Sequence, residues 1–563
     1  MSLRIAAALT LALALGLTVH GFQVDRAIGD ASNPHDVAYV GSGECARCHP
    51  GHAESFERTF HRTMTQDVRT ADRLAPFEGG TLRYGGYEAR FTTEDGARVL
   101  TLSGTEGERR YEIERTVGSH RYQQFLARAE DDTWIRLPVG YHMEEERFFH
   151  MNEAFLTADP NGLAEGASVS LADFDRHVVR WNDNCVFCHN VAPSPGFDAR
   201  HGTFDTHVAE LGVACEACHG PGAEHVARNS DPMRRYLLHA SDAPDPTIVN
   251  PERLSPERSA DACGRCHGQR ITDDIGTFLA HGDPFVPGED LALYSAPLFA
   301  DTTLNGEPVF GPRFWADGTP RLTAYEYQGL LESRCASEGG LTCTSCHGMH
   351  EGDPDGQIRP ELVARAGEEM CTGCHEHERT GHPSIAVHPT ASCTSCHMPE
   401  VVYGVRGVRI SHRIDIPVAT AIEAGARPDA CVLCHTDMDA ERHQVSPEDG
   451  ALFSLLFGGD PLQRSVAAAS LGGPVIGIEE QAIRGWLLEV MQDDPYPAIR
   501  AIAYASLRAR HPDGSLEGYL PTDPLRHREH TIERWSLTAT PPTPGRLLEL
   551  IPRRSAAAID IGE

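Results

Sequence analysis

The cysteines of this chain follow a strict pattern. Sixteen of the 17 form eight C-x-x-C pairs, and a histidine follows every pair directly. The pairs are Cys45 and Cys48, Cys185 and Cys188, Cys215 and Cys218, Cys263 and Cys266, Cys343 and Cys346, Cys371 and Cys374, Cys393 and Cys396, and Cys431 and Cys434. The histidines are His49, His189, His219, His267, His347, His375, His397 and His435. The remaining cysteine, Cys335, reads as a small buried apolar residue.

Disulfides, zinc sites and c-type haem sites all use closely spaced cysteines, and the sequence pattern around the cysteines distinguishes the three. Disulfide frameworks need neither the C-x-x-C spacing nor the histidine. Structural zinc sites combine two C-x-x-C units and do not require a histidine after each. C-x-x-C-H is the attachment site of c-type haem, where two thiols bond the porphyrin edge and the imidazole binds iron as proximal ligand. Eight complete motifs predict eight covalently bound haem c groups.

The N-terminus reads as a secretory signal peptide over residues 1–21. Arg4 supplies a positive charge, and Ile5 to Val19 form an apolar run of about the length of a signal-peptide core, which is short for a membrane span. An uncleaved N-terminal anchor is the alternative, and it would be the protein's only membrane attachment. Because haem c is attached after export, the signal and the motifs together predict a periplasmic or cell-surface protein.

The charge balance bears on the partners. The chain has 81 acidic against 49 basic residues, a formal net charge of −32. This balance argues against nucleic acid or an anionic membrane surface as a partner. We expect the partners to be other redox proteins. Each would dock through a basic patch on its own surface and bind more weakly as the salt concentration rises.

Composition divides the rest of the chain into four segments. Residues 22–76 carry the first haem motif, and residues 77–150 alternate polar with apolar residues, which predicts a small antiparallel β insert. Residues 151–445 are rich in Gly, Pro, Asp and Ser, so we expect seven haems to supply their core. Residues 446–563 form a helical domain and tail. The predicted fold class is mainly α with little regular structure, built around a haem-templated multihaem cytochrome core.

Two stretches of the last segment share an Asp-Pro opening and a helical apolar spacing. They are "DPLQRSVAAASLGG" and "DPYPAIRAIAYASLRARHP", and in the second Ile499, Ile502 and Leu507 fall on one face. The pattern predicts HEAT-like repeats, which commonly bind a protein partner or pack on a neighbouring domain. A plain helical cap over the haem domain is the alternative.

The second axial ligand of each iron decides what a haem can do. A second histidine suits electron transfer, whereas an open position can bind a substrate. Five histidines close to motifs are candidate second ligands: His61, His225, His350, His388 and His412. Six further candidates have less positional support: His120, His142, His177, His207, His281 and His382. No such histidine lies beside the fourth motif in sequence, so that motif is the candidate for an open iron.

The motifs and their flanks resemble the multihaem c-type cytochromes related to cytochrome c-554, in the octahaem branch with C-terminal HEAT-like repeats. The similarity rests on "YVGSGECARCHPGHAESFERTFHRTM", "WNDNCVFCHN", "VACEACHGPGAEHV", "DACGRCHGQR", "LTCTSCHGMH", "SCTSCHMPE", "SHRIDIP" and "DACVLCHTD". The resemblance implies closely stacked haems whose irons mostly carry two histidines. It therefore supports the five candidate second ligands.

The resemblance implies two functions. The first is electron transfer along a chain of haems between redox partners. The second is an oxidoreductase of a small nitrogen or sulfur compound, as in the hydroxylamine oxidoreductases and the nitrite and tetrathionate reductases of the wider group. Several of those reductases replace the motif histidine with lysine at the active haem, and this chain has no C-x-x-C-K motif. Electron transfer is therefore the favoured hypothesis, with no catalytic residue assigned.

Overall fold

The computed structural model describes most of the chain. The described residues are 31–71, 73–159, 168–241, 243–350, 357–363, 369–375, 382, 388, 391–419, 423, 425–436, 450–513, 515–554 and 559. The predicted signal peptide at residues 1–21 lies outside them. Within this part of the chain, no helix combines the length and apolar character that crossing a bilayer requires.

A nine-stranded antiparallel sheet follows the first motif. Its strands are β1 (Thr65–Asp67), β2 (Gly80–Tyr84), β3 (Tyr87–Glu94), β4 (Ala97–Gly104), β5 (Gly107–Val117), β6 (Tyr122–Arg128), β7 (Trp134–His142), β8 (Arg147–His150) and β9 (Val179–Arg180). Strands β2 to β8 form a meander in chain order, while β1 pairs with β5 and β9 pairs with β7. Since β2 also contacts β8, the sheet is nearly closed.

Alternating residues explain why this segment forms strands. In β3, Tyr87, Ala89 and Phe91 are buried, whereas the residues between them are partly or fully exposed. Phe91 stacks on Phe148 of β8 with ring centroids 3.7 Å apart, across the nearly closed barrel. Two glycines with positive φ, Gly85 and Gly86, form the tight turn between β2 and β3.

The architecture is a mixture of helix and sheet, where the sequence predicted mainly helix with a small β insert. The predicted meander lies at the predicted position. The sheet is larger because β1 and β9 join it from either side of the insert. Each is only two or three residues long and is held by pairing with a distant strand, a signal that local alternation does not contain.

Short helices and hairpins carry the motifs. The helices before residue 400 are α1 (Ser42–Ala46), α2 (Pro50–Phe56), α3 (Leu171–Phe174), α4 (Val186–His189), α5 (Cys215–His219), α6 (Ala223–Asn229), α7 (Pro232–Ser241), α8 (Pro256–His267), α9 (Ile275–His281), α10 (Glu326–Leu331), α11 (Arg334–Ser337), α12 (Pro360–Val363), α13 (Glu369–Thr372) and α14 (Cys393–His397). The strand pairs are β10 (Asn190–Val191) with β13 (Glu210–Leu211), β11 (Phe197–Asp198) with β12 (Thr203–Phe204), β14 (Arg270–Ile271) with β15 (Ala296–Pro297), and β16 (Glu400–Gly404) with β17 (Gly407–Ile410).

The C-terminal segment is helical. Its helices are α15 (Gly450–Gly458), α16 (Pro461–Ser470), α17 (Glu480–Asp493), α18 (Pro497–Arg510), α19 (Leu525–Glu533) and α20 (Pro544–Leu550). Asp460 caps α16 by accepting hydrogen bonds from the Leu462 and Gln463 backbone, so the Asp-Pro opening marks a true helix start. The core of these helices is continuous with Trp315 and Tyr403 of the preceding segment.

Candidate haem-binding core

Each motif forms one helical turn. In five motifs the histidine N–H donates to the carbonyl oxygen of the first cysteine, over 2.9 to 3.2 Å. The other three motifs lie within α5, α8 and α14. Residues three and four apart lie on one side of such a turn, so both thiols and the imidazole face the same way. This is the local arrangement that covalent attachment of a haem requires.

The motifs surround one large cavity. Its volume is about 3680 Å³, and cysteines and histidines from the first seven motifs line it. An ordinary ligand pocket has a volume of roughly 300–1,000 Å³, so this space is several times larger. Its size and its lining of thiols and imidazoles fit several large planar groups packed together. The cavity is consistent with the expectation that haems supply the core of residues 151–445.

Six motif histidines face a second histidine ring. The ring-centroid separations are 6.4 Å for His49 and His225, 5.7 Å for His219 and His350, 6.0 Å for His267 and His61, 6.3 Å for His347 and His412, 6.1 Å for His397 and His382, and 5.5 Å for His435 and His388. An iron held between two imidazole nitrogens at about 2 Å each separates the ring centroids by about 6 Å. Five of the pairs therefore fit a metal between two histidines. In the pair of His435 and His388 the two Nε2 atoms lie 3.3 Å apart, so the rings would have to move slightly apart to admit a metal.

All five candidate second ligands from the sequence lie in these pairs. The sixth partner is His382, one of the candidates with less positional support. His142 and His207 instead lie beside acidic residues, Glu145 and Asp205. His177 stacks on Phe155 at 4.6 Å. The proximity of a histidine to a motif in sequence was thus a useful guide to membership of a pair.

Sequence proximity did not predict which motif each histidine faces. His61 follows the first motif but faces His267 of the fourth, so the expectation of an open fourth motif is wrong. A backbone hydrogen bond of 2.9 Å from Val213 to the His61 carbonyl holds the His61 segment in place. Gly212 permits this approach, because its φ is +78° and a Cβ would collide with the Arg62 carbonyl oxygen.

The Nδ1 atoms of several paired histidines contact an oxygen. His219 Nδ1 lies 2.6 Å from the Val249 carbonyl oxygen, and His397 Nδ1 lies 2.7 Å from that of Asp415. Among the partners, His61 Nδ1 lies 2.8 Å from Gln357 Oε1. Such contacts fix the tautomer and leave Nε2 to bind a metal. His225 makes a similar contact with a carboxylate: its Nδ1 atom lies 3.2 Å from an Asp245 oxygen.

Burial favours the neutral form of several of these imidazoles. Burial lowers the pKa of His61 and of His350 to about 4, and it also lowers the pKa of His219. A neutral imidazole is the form that binds a metal. His267 differs: burial opposes its charge, but the Glu326 carboxylate 3.6 Å from Nδ1 raises its pKa to about 9.

The second motif has different surroundings. His189 is half-buried, and the described residues place no second histidine ring at pairing distance from it. Its Nδ1 atom is buried without a hydrogen-bond partner. Nothing in "CVFCH" indicates this difference, since it contains the same three ligands as the other motifs.

The sixth and eighth motifs lie towards the end of the described cytochrome segment. Much of the chain around His375 of the sixth motif lies outside the described residues, so its axial partner stays unassigned. The eighth motif is capped by Asp429, whose carboxylate accepts hydrogen bonds from the Cys431 and Val432 backbone at 2.9 and 3.1 Å.

Cys335 lines the cavity and is partly exposed, where the sequence predicted a buried residue.

Comparisons with known proteins agree with the motif geometry. Residues 336–380 match the family model of the doubled CXXCH motif. The chain is 24% identical over 204 residues to the multiheme cytochrome MtrA of Shewanella baltica, covering 35% of this chain and 53% of that protein. The chain is related to multihaem c-type cytochromes. Covalent haem c and a redox role are supported on these grounds.

Two further similarities are to a reductase and to a cytochrome. The dissimilatory sulfite reductase MccA of Wolinella succinogenes is 26% identical over 210 residues, which cover 34% of this chain and 23% of that protein. The chain thus spans about half the length of the first relative and about a quarter of the second. The crystal structure of the outer cell wall cytochrome OcwA superposes with a TM-score of 0.46 and 16% identity, covering 88% of this chain and 99% of that one.

Proposed function

We propose that the protein is an exported eight-haem c-type cytochrome that transfers electrons between redox partners. The eight cysteine pairs would hold the haems covalently, and the following histidines would bind the irons as proximal ligands. When bound, haem supplies an iron that cycles between the ferrous and ferric states. The observation that carries the proposal is the set of six histidine pairs at 5.5 to 6.4 Å.

The second histidines favour electron transfer over substrate binding. We assign His61, His225, His350, His388, His412 and His382 as second axial ligands. An iron with two histidine ligands has no position left for a substrate. Its small change of geometry on reduction suits fast electron exchange. The majority of the haems would therefore conduct electrons rather than carry out chemistry.

Contacts between motifs support a continuous electron path. Cysteine side chains of different motifs lie close together in the pairs Cys45 and Cys215, Cys188 and Cys266, Cys263 and Cys343, and Cys371 and Cys393. Further pairs lie close enough to interact electrostatically: Cys218 and Cys266, Cys346 and Cys374, and Cys396 and Cys434. These contacts link the motifs in the order one, three, four, five, six, seven, eight, with the second motif branching from the fourth.

The N-terminal segment supports the proposed location, and the net charge of the chain supports the proposed partners. The signal-like N-terminus and post-export haem attachment support a periplasmic or cell-surface location. The net charge of −32 supports redox partners that dock through a basic patch. The HEAT-like helices are a second candidate docking surface. Their shared core with Trp315 and Tyr403 also fits a cap on the cytochrome segment.

A redox enzyme is the second candidate function, and one observation favours it. Among the described residues no second histidine ring faces His189 of the second motif, and its Nδ1 atom is buried without a hydrogen-bond partner. An iron bound there would have a position for an exogenous ligand. The fourth motif no longer supports this function, because His61 faces His267.

The proposal is tested by counting haems and following electrons in the purified holoprotein. A pyridine haemochrome assay combined with intact mass should give eight covalent haems per chain. After mixing with less than one electron equivalent of reductant per haem, the absorbance should reach its equilibrium spectrum in a single fast phase. Fewer than eight haems, or groups of haems that equilibrate separately over minutes, would contradict a continuous chain.

A further inference from the structure

The segment that follows α7 contacts histidines of two neighbouring motifs. His219 of the third motif lies with its Nδ1 atom 2.6 Å from the Val249 carbonyl oxygen. Four residues earlier, an Asp245 carboxylate oxygen lies 3.2 Å from Nδ1 of His225, the histidine that faces the first motif. A carbonyl oxygen is neutral, whereas a carboxylate is anionic. The first and third motifs therefore receive different electrostatic support from one segment.

Several donors fix the orientation of the Asp245 carboxylate. Arg234 of α7 donates from Nη1 to Oδ2 at 2.9 Å and from Nη2 to Oδ1 at 2.8 Å. Thr247 donates to Oδ1 from its hydroxyl at 2.6 Å and from its backbone N–H at 3.0 Å. The side chains of Asp245 and Arg234 are only 14% and 5% exposed. A bidentate pair in such a sheltered position stabilises the ionised carboxylate and holds it still.

Asn229 leaves the Nδ1 proton of His225 to this carboxylate. Its Nδ2 atom donates to Asp245 Oδ2 at 2.8 Å and to the His225 carbonyl oxygen at 3.0 Å, and its Oδ1 atom accepts from Arg234 at 2.7 Å. Nδ2 also lies 2.9 Å from His225 Nδ1, but those two oxygens use both of its protons. Asp245 Oδ2 is then the acceptor for the Nδ1 proton, which leaves Nε2 to bind a metal.

A carboxylate acceptor changes the donor strength of an axial imidazole. By attracting the Nδ1 proton it makes Nε2 a stronger electron donor, which stabilises ferric over ferrous iron and lowers the midpoint potential. The Arg234 guanidinium acts in the opposite direction, because its positive charge offsets part of the charge of the carboxylate. A neutral carbonyl acceptor, as at His219, has a weaker effect than a carboxylate.

We propose that Asp245 and Arg234 are positioning residues that set the midpoint potential of the first haem through His225. The carboxylate lowers this potential, and the guanidinium limits the decrease. The inference rests on the proposed haem attachment and electron transfer. The first motif ends the proposed chain of motifs, and its Cys48 is exposed. A low potential at that end makes the first haem the site where electrons enter, with the third haem as their first acceptor.

The test is a spectroelectrochemical titration of the holoprotein, with the spin states followed by electron paramagnetic resonance. Asp245→Asn should raise one midpoint potential and Arg234→Gln should lower one, while every iron keeps its spin state. The expected scale is a tenfold change in the relative stability of the two iron states, or about 59 mV. Asp245→Glu, which keeps the carboxylate, should stay closer to the wild type. Asp231→Asn is the control, because it removes the same charge from an exposed residue just before α7 and should shift no potential.

The same substitution in a His225→Ala background shows whether the effect passes through this histidine. The shift caused by Asp245→Asn should largely disappear there, because the hydrogen bond is already lost. An equal shift in both backgrounds would overturn the inference. So would shifts of the same sign in Asp245→Asn and Arg234→Gln, or no shift in either. A new high-spin iron in Asp245→Asn would also contradict it, since Asp245 would then only hold His225 on the iron. The haem count and the rate of electron equilibration report separately on the proposed electron-transfer function.

Discussion

The second and third motifs begin alike and differ in what surrounds them. "CVFCH" and "CEACH" both form a helical turn that ends at the motif histidine. His219 of the third motif contacts the Val249 carbonyl through Nδ1 and faces His350, whereas His189 of the second has neither kind of partner among the residues that the structure describes. The motif thus determines only the proximal side of a haem. Distant parts of the chain determine the other side, and with it the role of the haem.

The largest expected effect comes from removing one half of a pair. His350→Ala should convert the haem of the third motif from low-spin to high-spin, because His350 faces His219 at 5.7 Å. The variant would then make the third motif resemble the second. Electron paramagnetic resonance of the ferric holoprotein measures the change as one additional high-spin iron per chain.

His52→Ala is the matched control for this prediction. The His52 ring lies 4.7 Å from that of His350, so this variant disturbs the same region of the cavity without removing the ring opposite His219. It should add no high-spin iron. The pairing of His219 with His350 would be wrong if the two variants gave the same spectrum.

A smaller effect is expected from the groups that contact Nδ1. Gln357 Oε1 lies 2.8 Å from His61 Nδ1. Gln357→Glu should make His61 a stronger donor and lower the midpoint potential of one haem, whereas Gln357→Leu should raise it. Each tenfold change in the relative stability of the two iron states corresponds to about 59 mV.

Spectroelectrochemical titration of the two Gln357 variants measures these shifts. The opposite signs are the essential feature, since a general loss of structure would move both variants the same way. Shifts of equal sign would mean that Gln357 does not act through His61. The second motif, whose His189 Nδ1 has no such partner, should be unaffected by either substitution.

The smallest effect is expected where the sheet meets the second motif. Thr65→Val removes the hydroxyl that donates to the His189 carbonyl and should lower the free energy of unfolding by about 1 kcal/mol. Chemical denaturation followed by tryptophan fluorescence gives the stability.

Thr70→Val provides the comparison for Thr65→Val. Thr70 is exposed just after β1, and its substitution should change stability by less than about 0.5 kcal/mol. Equal effects of the two substitutions would show that the Thr65 hydroxyl does not hold the sheet to the second motif.

The sequence predicted the local features of the fold and the site. The C-x-x-C-H spacing predicted eight turns that present two thiols and an imidazole, and the alternation around Phe91 predicted the meander. Each of these signals is contained in a short stretch of neighbouring residues. The Asp-Pro opening at Asp460 predicted a helix start for the same reason.

The long-range features could not be read from the sequence. His61 follows the first motif yet faces the fourth, and His350 follows the fifth yet faces the third. These assignments depend on contacts such as Val213 with the His61 carbonyl, which join separate segments. The sequence likewise does not predict that His189 lacks a facing histidine among the described residues, because this depends on where distant parts of the chain lie.

Near-infrared magnetic circular dichroism of the fully oxidised holoprotein tests the histidine pairs most directly, because it distinguishes two-histidine axial ligation from other ligand sets. The account predicts that at least six haems per chain carry two histidines, matching the six pairs at 5.5 to 6.4 Å. A spectrum that assigns two histidines to fewer than six haems would contradict it.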